Sequence, residues 1–120
     1  VAQVDEALAL RAAGITAPVL AWLYAPGAPL ERAVAEHVDL SVAARWALDD
    51  VVAAARATGV TARVHIKVDT GLGRNGVGPD ELAGLLDAAL RAQAEGSVAV
   101  VGLWSHLAFA DAPDHPTVRG

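Results

Sequence analysis

The chain has 120 residues, of which 54% are hydrophobic and 19% charged, and its formal net charge is −5. This length and apolar content suffice for one hydrophobic core, while the net negative charge argues against a nucleic-acid surface, which needs clustered cations. Cys is absent, which excludes disulfides and thiolate metal sites, and no apolar run approaches the ~20 residues that span a bilayer. Because the first residues also lack the basic start of a signal peptide, we expect a cytoplasmic protein.

Apolar runs bounded by turn residues predict strands and helices in alternation. The strands are expected at residues 1–4, 18–24, 38–40, 61–68 and 98–104. The helices are expected at residues 5–13, 30–37, 42–57 and from residue 79 onward. Asp5 and Ser41 are the predicted helix caps, and Pro79 suits a first helical position. This alternation is typical of a parallel sheet with helical crossovers, either a (β/α)₈ barrel or a doubly wound sheet.

Both ends of the sequence are expected to be internal to a longer chain. The sequence begins at Val1 rather than Met, and five strands cannot close an eight-stranded barrel. The residues from His115 onward are expected to begin a further helix. On the barrel interpretation, residues 1–120 are therefore incomplete at both ends.

The strand at residues 61–68 alternates between polar and aliphatic side chains. The polar set is Arg63, His65, Lys67 and Asp69, and the aliphatic set is Val64, Ile66 and Val68. Lys67 is the only lysine and lies near the carboxyl end of the strand, where α/β folds bind ligands. We expect the aliphatic set under helices and the polar set inside a barrel. The alternative is an edge strand with a solvated face.

A glycine-rich loop follows this strand at residues 69–78. It contains four glycines, which allow tight turns and a close approach to a ligand, and one arginine, Arg74. Held in such a loop, Arg74 could bind a carboxylate or a phenolic oxygen through two parallel hydrogen bonds. The spacing matches neither a P-loop nor a dinucleotide-binding loop, and a plain flexible turn is the alternative.

His106 lies at the carboxyl end of the last predicted strand. A single histidine in such a place is more often a structural hydrogen-bonding group than an acid or base. The histidines and carboxylates do not have the spacing of metal ligands, so we expect no metal site. Ser41 and Ser105 lack the surroundings of a nucleophile elbow, and serine hydrolysis is unsupported.

Two segments resemble motifs of one enzyme family. Residues 64–77 (VHIKVDTGLGRNGV) are similar to the K-x-D-T-G-x-x-R-x-G signature of alanine racemases. Residues 105–111 (SHLAFAD) resemble that family's T/S-H-x-x-x-A-D block, at a similar distance along the chain. Weaker likenesses cover nearly the whole chain. The resemblance implies that residues 1–120 are an interior piece of the N-terminal barrel domain of a fold-type III, pyridoxal 5'-phosphate-dependent racemase, with about the second to the sixth strands.

The resemblance also implies roles for three residues. Arg74 matches the arginine that contacts the substrate carboxylate and the phenolic oxygen of the cofactor. Lys67 matches a lysine that is often carbamylated and orients that arginine, so we expect the two side chains to approach each other around an anion. His106 matches the cofactor-binding histidine beside the pyridine ring. Trp104 stands where the family often has a smaller residue such as methionine.

Other parts of the family's catalytic machinery have no counterpart in this sequence. The K-x-N-A-Y-G-H-G-like motif, whose lysine holds the cofactor covalently, is absent. In the family, the phosphate-binding residues belong to later strands of the barrel. The opposing tyrosine base belongs to a second domain, which completes the active site of the other subunit in a homodimer. Two bases are needed to racemise an amino acid. We therefore expect this chain by itself to be inactive.

The resemblance implies an activity for the parent protein. That protein would interconvert L- and D-alanine and supply D-alanine for peptidoglycan. One alternative is a racemase for another small amino acid such as serine. The other is a truncated barrel domain without catalytic activity.

Overall fold

The computed structural model describes residues 1–112 and 114–116. The further helix expected from His115 onward falls mostly on residues 117–120, which lie outside the described residues. The elements in chain order are α1 (Val4–Ala12), β1 (Leu20–Ala21), α2 (Leu30–Ala35), β2 (Asp39–Val42), α3 (Arg45–Thr58), β3 (Ala62–Val68), α4 (Pro79–Ala94) and β4 (Val98–Ser105). No helix in the described part of the chain is long and apolar enough to cross a membrane.

The four strands form one parallel sheet in the order β1-β2-β3-β4. Helices connect β1 to β2, β2 to β3 and β3 to β4. Because all the strands are parallel, their carboxyl ends meet at one edge of the sheet. The expected α/β class, as part of a (β/α)₈ barrel, is confirmed. Because β3 pairs with both β2 and β4, the alternative of a solvated edge strand is wrong.

The aliphatic side chains of the sheet face the helices, as expected. Val64 and Ile66 of β3 are fully buried, and they belong to the same core as Leu48 and Val51 of α3. Burying such side chains contributes roughly 1.5–3 kcal/mol each, which makes this face the main source of stability. Leu90 of α4 is exposed, because the buried stripe of that helix runs through Leu85, Ala88, Ala89 and Ala92.

The strand expected at residues 1–4 is not one of the described strands. The helix α1 already begins at Val4, because a carboxylate oxygen of Glu6 accepts hydrogen bonds from the backbone N–H groups of Ala2 (3.0 Å) and Gln3 (2.8 Å). Asp5 is therefore inside the helix and is not its cap. The backbone carbonyl of Ala2 accepts from the N–H groups of Trp22 and Leu23, so the first residues still lie beside the sheet.

Ser41 was expected to cap the helix α3 but lies inside β2. The helix begins at Arg45 after Ala44, without a side-chain cap. The hydroxyl of Ser41 instead accepts a hydrogen bond from the indole Nε1–H of Trp104, at 3.1 Å. Because all four side chains of β2 are buried between its neighbours, the strand continues past the point where the sequence predicts a helix start.

The polar side chains of β2 and β3 share the face opposite the helices. The carboxylate of Asp39, which is 5% exposed, accepts hydrogen bonds from Arg63 Nε (2.7 Å) and Nη2 (3.2 Å). His65 Nε2 lies 2.9 Å from the same carboxylate. Burial opposes ionisation of Asp39, but the hydrogen bonds from Arg63 and His65 outweigh it and hold the pKa of Asp39 below its ordinary value.

Replacing this carboxylate with an amide, Asp39→Asn, is expected to destabilise the protein by about 1–3 kcal/mol at pH 7, because the charge-assisted bonds are lost. The folded-state pKa of Asp39 is depressed, so its contribution is present above the ordinary pKa of about 3.9 and is lost as the pH falls through the folded value. Urea denaturation from pH 3 to 7 measures the free energy of unfolding of the parent and of the variant. The difference between these two free energies should shrink below about pH 4.

The matched control is Asp49→Asn. Asp49 pairs with Arg45 on the exposed face of α3, and such surface pairs contribute little. The loss of unfolding free energy caused by Asp39→Asn could stay constant down to pH 3, or could equal the loss caused by Asp49→Asn. Either result would show that Asp39 does not stabilise the fold as a carboxylate.

Candidate functional site

The site loop, residues 69–78, leaves the carboxyl end of β3 and returns to it. Asp69 Oδ1 accepts hydrogen bonds from the backbone N–H groups of Gly71 (3.0 Å) and Gly73 (3.1 Å). These bonds, first that from Gly73 and then that from Gly71, lower the pKa of Asp69. The N–H of Val77 then donates to the carbonyl of Lys67 at 2.8 Å, and the N–H of Asp69 donates to the carbonyl of Val77 at 3.0 Å. The loop is therefore closed at both ends.

Lys67 is fully buried at the carboxyl end of β3. Its ammonium group donates a hydrogen bond to the backbone carbonyl of Arg74, at 3.0 Å. The same nitrogen lies 4.3 Å from the ring centre of Trp22 and 4.7 Å from that of Trp104. Burial lowers the pKa of Lys67, and the positive charge of Arg74 lowers it further, while Asp69 opposes both effects.

Arg74 lies in the middle of the site loop and is exposed. Its guanidinium carbon is 5.6 Å from the ring centre of Trp22. Within residues 1–112 and 114–116, its guanidinium group makes no ion pair or side-chain hydrogen bond. A guanidinium group with free donors beside a second cation is suited to binding a small anion such as a carboxylate.

The sequence predicts that the side chains of Lys67 and Arg74 approach each other. In the structure, the ammonium group of Lys67 donates its hydrogen bond to the backbone carbonyl of Arg74, and the guanidinium group takes no part in this contact. His106 follows the carboxyl end of β4 and is exposed. The described residues contain no hydrogen bond from His106 to Lys67 or Arg74. The neighbouring Ser105 Oγ lies 2.6 Å from Thr70 Oγ1, which connects the end of β4 to the site loop.

Sequence reasoning missed the contribution of Trp22 to this site and treated Trp104 only as a departure from the family pattern. Trp104 lies opposite Lys67 in the register of β3 and β4. Trp22 follows β1, at the same edge of the sheet. The signal in the sequence was their position at the ends of strands, because side chains at the carboxyl ends of neighbouring parallel strands come together.

The described residues contain no group of three or more histidine, aspartate or glutamate side chains that could hold a metal ion. Two cations, Lys67 and Arg74, lie at this edge beside the indole rings of Trp22 and Trp104. Such a surface is suited to a small molecule that combines a planar ring with anionic groups.

Comparison with known proteins places the chain among enzymes of one kind. Residues 1–119 match the family described as alanine racemase, N-terminal domain. The alanine racemase of Beutenbergia cavernae is 68% identical over 111 residues, which are 92% of this chain and 29% of that protein. That of Frankia casuarinae is 60% identical over 116 residues, which are 97% of this chain and 30% of that protein.

Solved structures agree in fold. The alanine racemase from a D-cycloserine-producing Streptomyces lavendulae superposes with a TM-score of 0.96 at 55% identity, covering 98% of this chain and 31% of that chain. The alanine racemase of Bacillus anthracis with bound L-Ala-P superposes with a TM-score of 0.79 at 32% identity, covering 98% of this chain and 30% of that chain. The chain thus spans about a third of the length of the relatives that it matches.

Proposed function

Because this chain belongs to the alanine racemase N-terminal domain family, we propose that the protein carrying it is a pyridoxal 5'-phosphate-dependent racemase that interconverts L-alanine and D-alanine. The observation that carries the proposal is the geometry of the site loop. Arg74 extends from this loop with free donors, above Trp22 and next to the buried Lys67. D-alanine from this reaction would supply peptidoglycan synthesis, and the protein would act in the cytoplasm.

The donor chemistry of the site fits the proposed cofactor. Pyridoxal phosphate has a planar ring with a phenolic oxygen, and when bound it withdraws electrons from the substrate and so acidifies the α-hydrogen. Arg74 would donate hydrogen bonds to that phenolic oxygen and to the substrate carboxylate. Fixing the carboxylate in this way orients the α-hydrogen, and orientation of the reacting atoms is a major part of catalysis.

Lys67 is proposed to orient Arg74 rather than to hold the cofactor. Its amino group donates a hydrogen bond to the backbone carbonyl of Arg74 and lies beside the indole rings of Trp22 and Trp104. Carbamylation of Lys67, which the family resemblance implies, would replace this cation with an anion that can pair with the guanidinium group of Arg74. His106, at the end of β4, is proposed to lie beside the cofactor's pyridine ring and to bind it through the surrounding hydrogen-bonding network.

The remaining catalytic groups are proposed to lie outside these 120 residues. The four described strands of the chain would lie within about the second to the sixth strands of the barrel. The lysine that binds the cofactor covalently would come from an earlier segment, and the opposing tyrosine base from a second domain of the partner in a homodimer. Residues 1–120 would therefore be incomplete at both ends.

The test is racemisation by the complete polypeptide that carries this segment. We expect the purified protein, supplied with pyridoxal phosphate, to convert L-alanine to D-alanine, measured with a D-amino-acid oxidase assay. L-serine is assayed in parallel, because faster racemisation of serine than of alanine would identify serine as the substrate. A protein that binds the cofactor but racemises neither amino acid would support a barrel domain without catalytic activity.

The 120-residue chain by itself serves as the control. We expect it neither to racemise L-alanine nor to hold the cofactor covalently after borohydride reduction, because Lys67 is its only lysine and is engaged with the Arg74 carbonyl. Stoichiometric trapping of the cofactor on Lys67, together with racemisation, would contradict both the role of Lys67 and the proposal that the chain is a segment.

A further inference from the structure

The chain leaves the sheet at the end of β4, just before His106. The last residues that are paired in register between β3 and β4 are Val68 and Ser105. His106 follows directly and is exposed. Because the ladder of backbone hydrogen bonds ends at this pair, strand pairing does not fix the position of His106 relative to the site loop.

A hydrogen bond between two hydroxyl groups lies just beyond this last pair. Thr70 Oγ1 and Ser105 Oγ are 2.6 Å apart, at the short end of the range for O–H···O bonds. Thr70 belongs to the site loop and Ser105 immediately precedes His106, although 35 positions separate the two hydroxyls along the chain. The bond therefore connects the loop that carries Arg74 to the segment that carries His106.

The part of the site loop around Thr70 is held in a turn. One carboxylate oxygen of Asp69 accepts hydrogen bonds from the backbone N–H groups of Gly71 and Gly73. Arg74 directly follows this turn. Because an aspartate that bonds nearby backbone groups restricts the conformations of the turn, a displacement of Thr70 would displace Arg74 with it.

The other side of the site loop is attached to the segment after β1. The side-chain amide of Asn75 donates a hydrogen bond to the backbone carbonyl of Trp22, at 3.3 Å, and its oxygen accepts one from the N–H of Gly76, at 2.9 Å. The loop is thus bound on both sides to the ends of other strands. Of these two attachments, only the one through Thr70 leads to the segment that carries His106.

We propose that Thr70 and Ser105 are positioning residues, whose hydrogen bond fixes the site loop relative to the segment that follows β4. It thereby fixes the distance between Arg74 and His106. The group that binds the substrate carboxylate and the group beside the cofactor ring are then both in place at once, which orients the reacting atoms. The inference rests on the proposed function for the roles of Arg74 and His106.

The first measurement is amide hydrogen exchange of the site loop in the complete polypeptide, followed by mass spectrometry. Thr70→Val keeps the shape of the side chain but removes the hydroxyl. We expect the loop amides to exchange about two- to tenfold faster than in the parent, because the lost hydrogen bond no longer opposes local opening. Thr70→Ser keeps the hydroxyl and should restore the exchange rate of the parent. An unchanged rate in Thr70→Val would overturn the proposal.

The matched control is Thr61→Val. Thr61 precedes β3 at the opposite edge of the sheet, is exposed like Thr70, and donates a hydrogen bond to the backbone carbonyl of Gly96 at 2.9 Å. This variant loses a bond of the same kind, but at a place where it cannot hold the site loop, so exchange of the loop should not change. Equal acceleration in Thr61→Val and Thr70→Val would overturn the proposal, because the effect would then be one of general stability.

The second measurement separates positioning from stability. A smaller fraction of folded enzyme lowers the apparent kcat and leaves KM unchanged, whereas a displaced carboxylate-binding group raises KM. We expect Thr70→Val and Ser105→Ala each to raise KM for L-alanine about two- to tenfold, and Thr70→Ser to restore it. The double variant should raise KM no further, because both substitutions remove the same bond.

Two kinetic results would contradict this proposal. An unchanged KM in both single variants would show that the bond holds the loop without positioning Arg74. Effects that multiply in the double variant would show that the two hydroxyls act separately. Hydrogen exchange does not require racemisation, so an inactive protein with the expected exchange rates would refute the proposed function and would still support the attachment of the site loop to the end of β4.

Discussion

Arg74→Ala is expected to lower kcat/KM for L-alanine racemisation by about 100- to 1000-fold in the complete polypeptide. Removing one partner of a desolvated charge-assisted pair costs about 3–4 kcal/mol, and each 1.4 kcal/mol corresponds to a factor of ten. The guanidinium group has no ion-pair partner among residues 1–112 and 114–116, so its removal should leave the fold intact. Steady-state kinetics and circular dichroism spectra of the two proteins measure these effects.

Two variants sharpen this prediction. Arg74→Lys keeps the charge but loses the planar fork, and we expect it to remain at least about tenfold below the parent. Arg45→Ala removes an exposed arginine that pairs with Asp49 on α3, and it should leave kcat/KM unchanged. Activity of Arg74→Ala within threefold of the parent would rule out Arg74 as the carboxylate-binding group.

Gly76→Ala is expected to destabilise the protein by about 2–4 kcal/mol and to disrupt the site loop. Gly76 has φ +129°, a conformation that residues with a side chain rarely adopt. An added Cβ would lie 2.5 Å from the backbone nitrogen of Asp69 and 2.8 Å from the carbonyl carbon of Val68. Both neighbours are backbone atoms at the end of β3, so neither can move away without breaking the loop closure.

Urea denaturation and binding of pyridoxal phosphate measure the two effects of Gly76→Ala. The matched control is Gly84→Ala in the middle of α4, where no heavy atom lies within 4 Å of an added Cβ. Because alanine is the better helix former, this variant should be stabilised by about 0.5–1 kcal/mol. If Gly76→Ala denatured at the same urea concentration as the parent, the close approach of the loop to the strand would be wrong.

Local patterns accounted for most of the fold, and their failures were at helix and strand ends. The alternation of aliphatic and polar side chains along β3 predicted which side chains lie under helices, because a strand's side chains point alternately to its two faces. The helix starts near Val4 and Arg45 were placed incorrectly. The first depends on Glu6 reaching back to two backbone N–H groups, and the second on burial of β2 between its neighbours.

The sequence by itself determined the β/α alternation, because hydrophobic periodicity is a local property of the chain. It also determined that Lys67 and Arg74 are close together, because only seven positions separate them. Only the tertiary structure decided that Trp22, Ser41 and Trp104 meet around Lys67. These residues come from separate segments, and their meeting depends on the register of parallel strands. That register is set by packing of the whole sheet against its helices, which no local pattern contains.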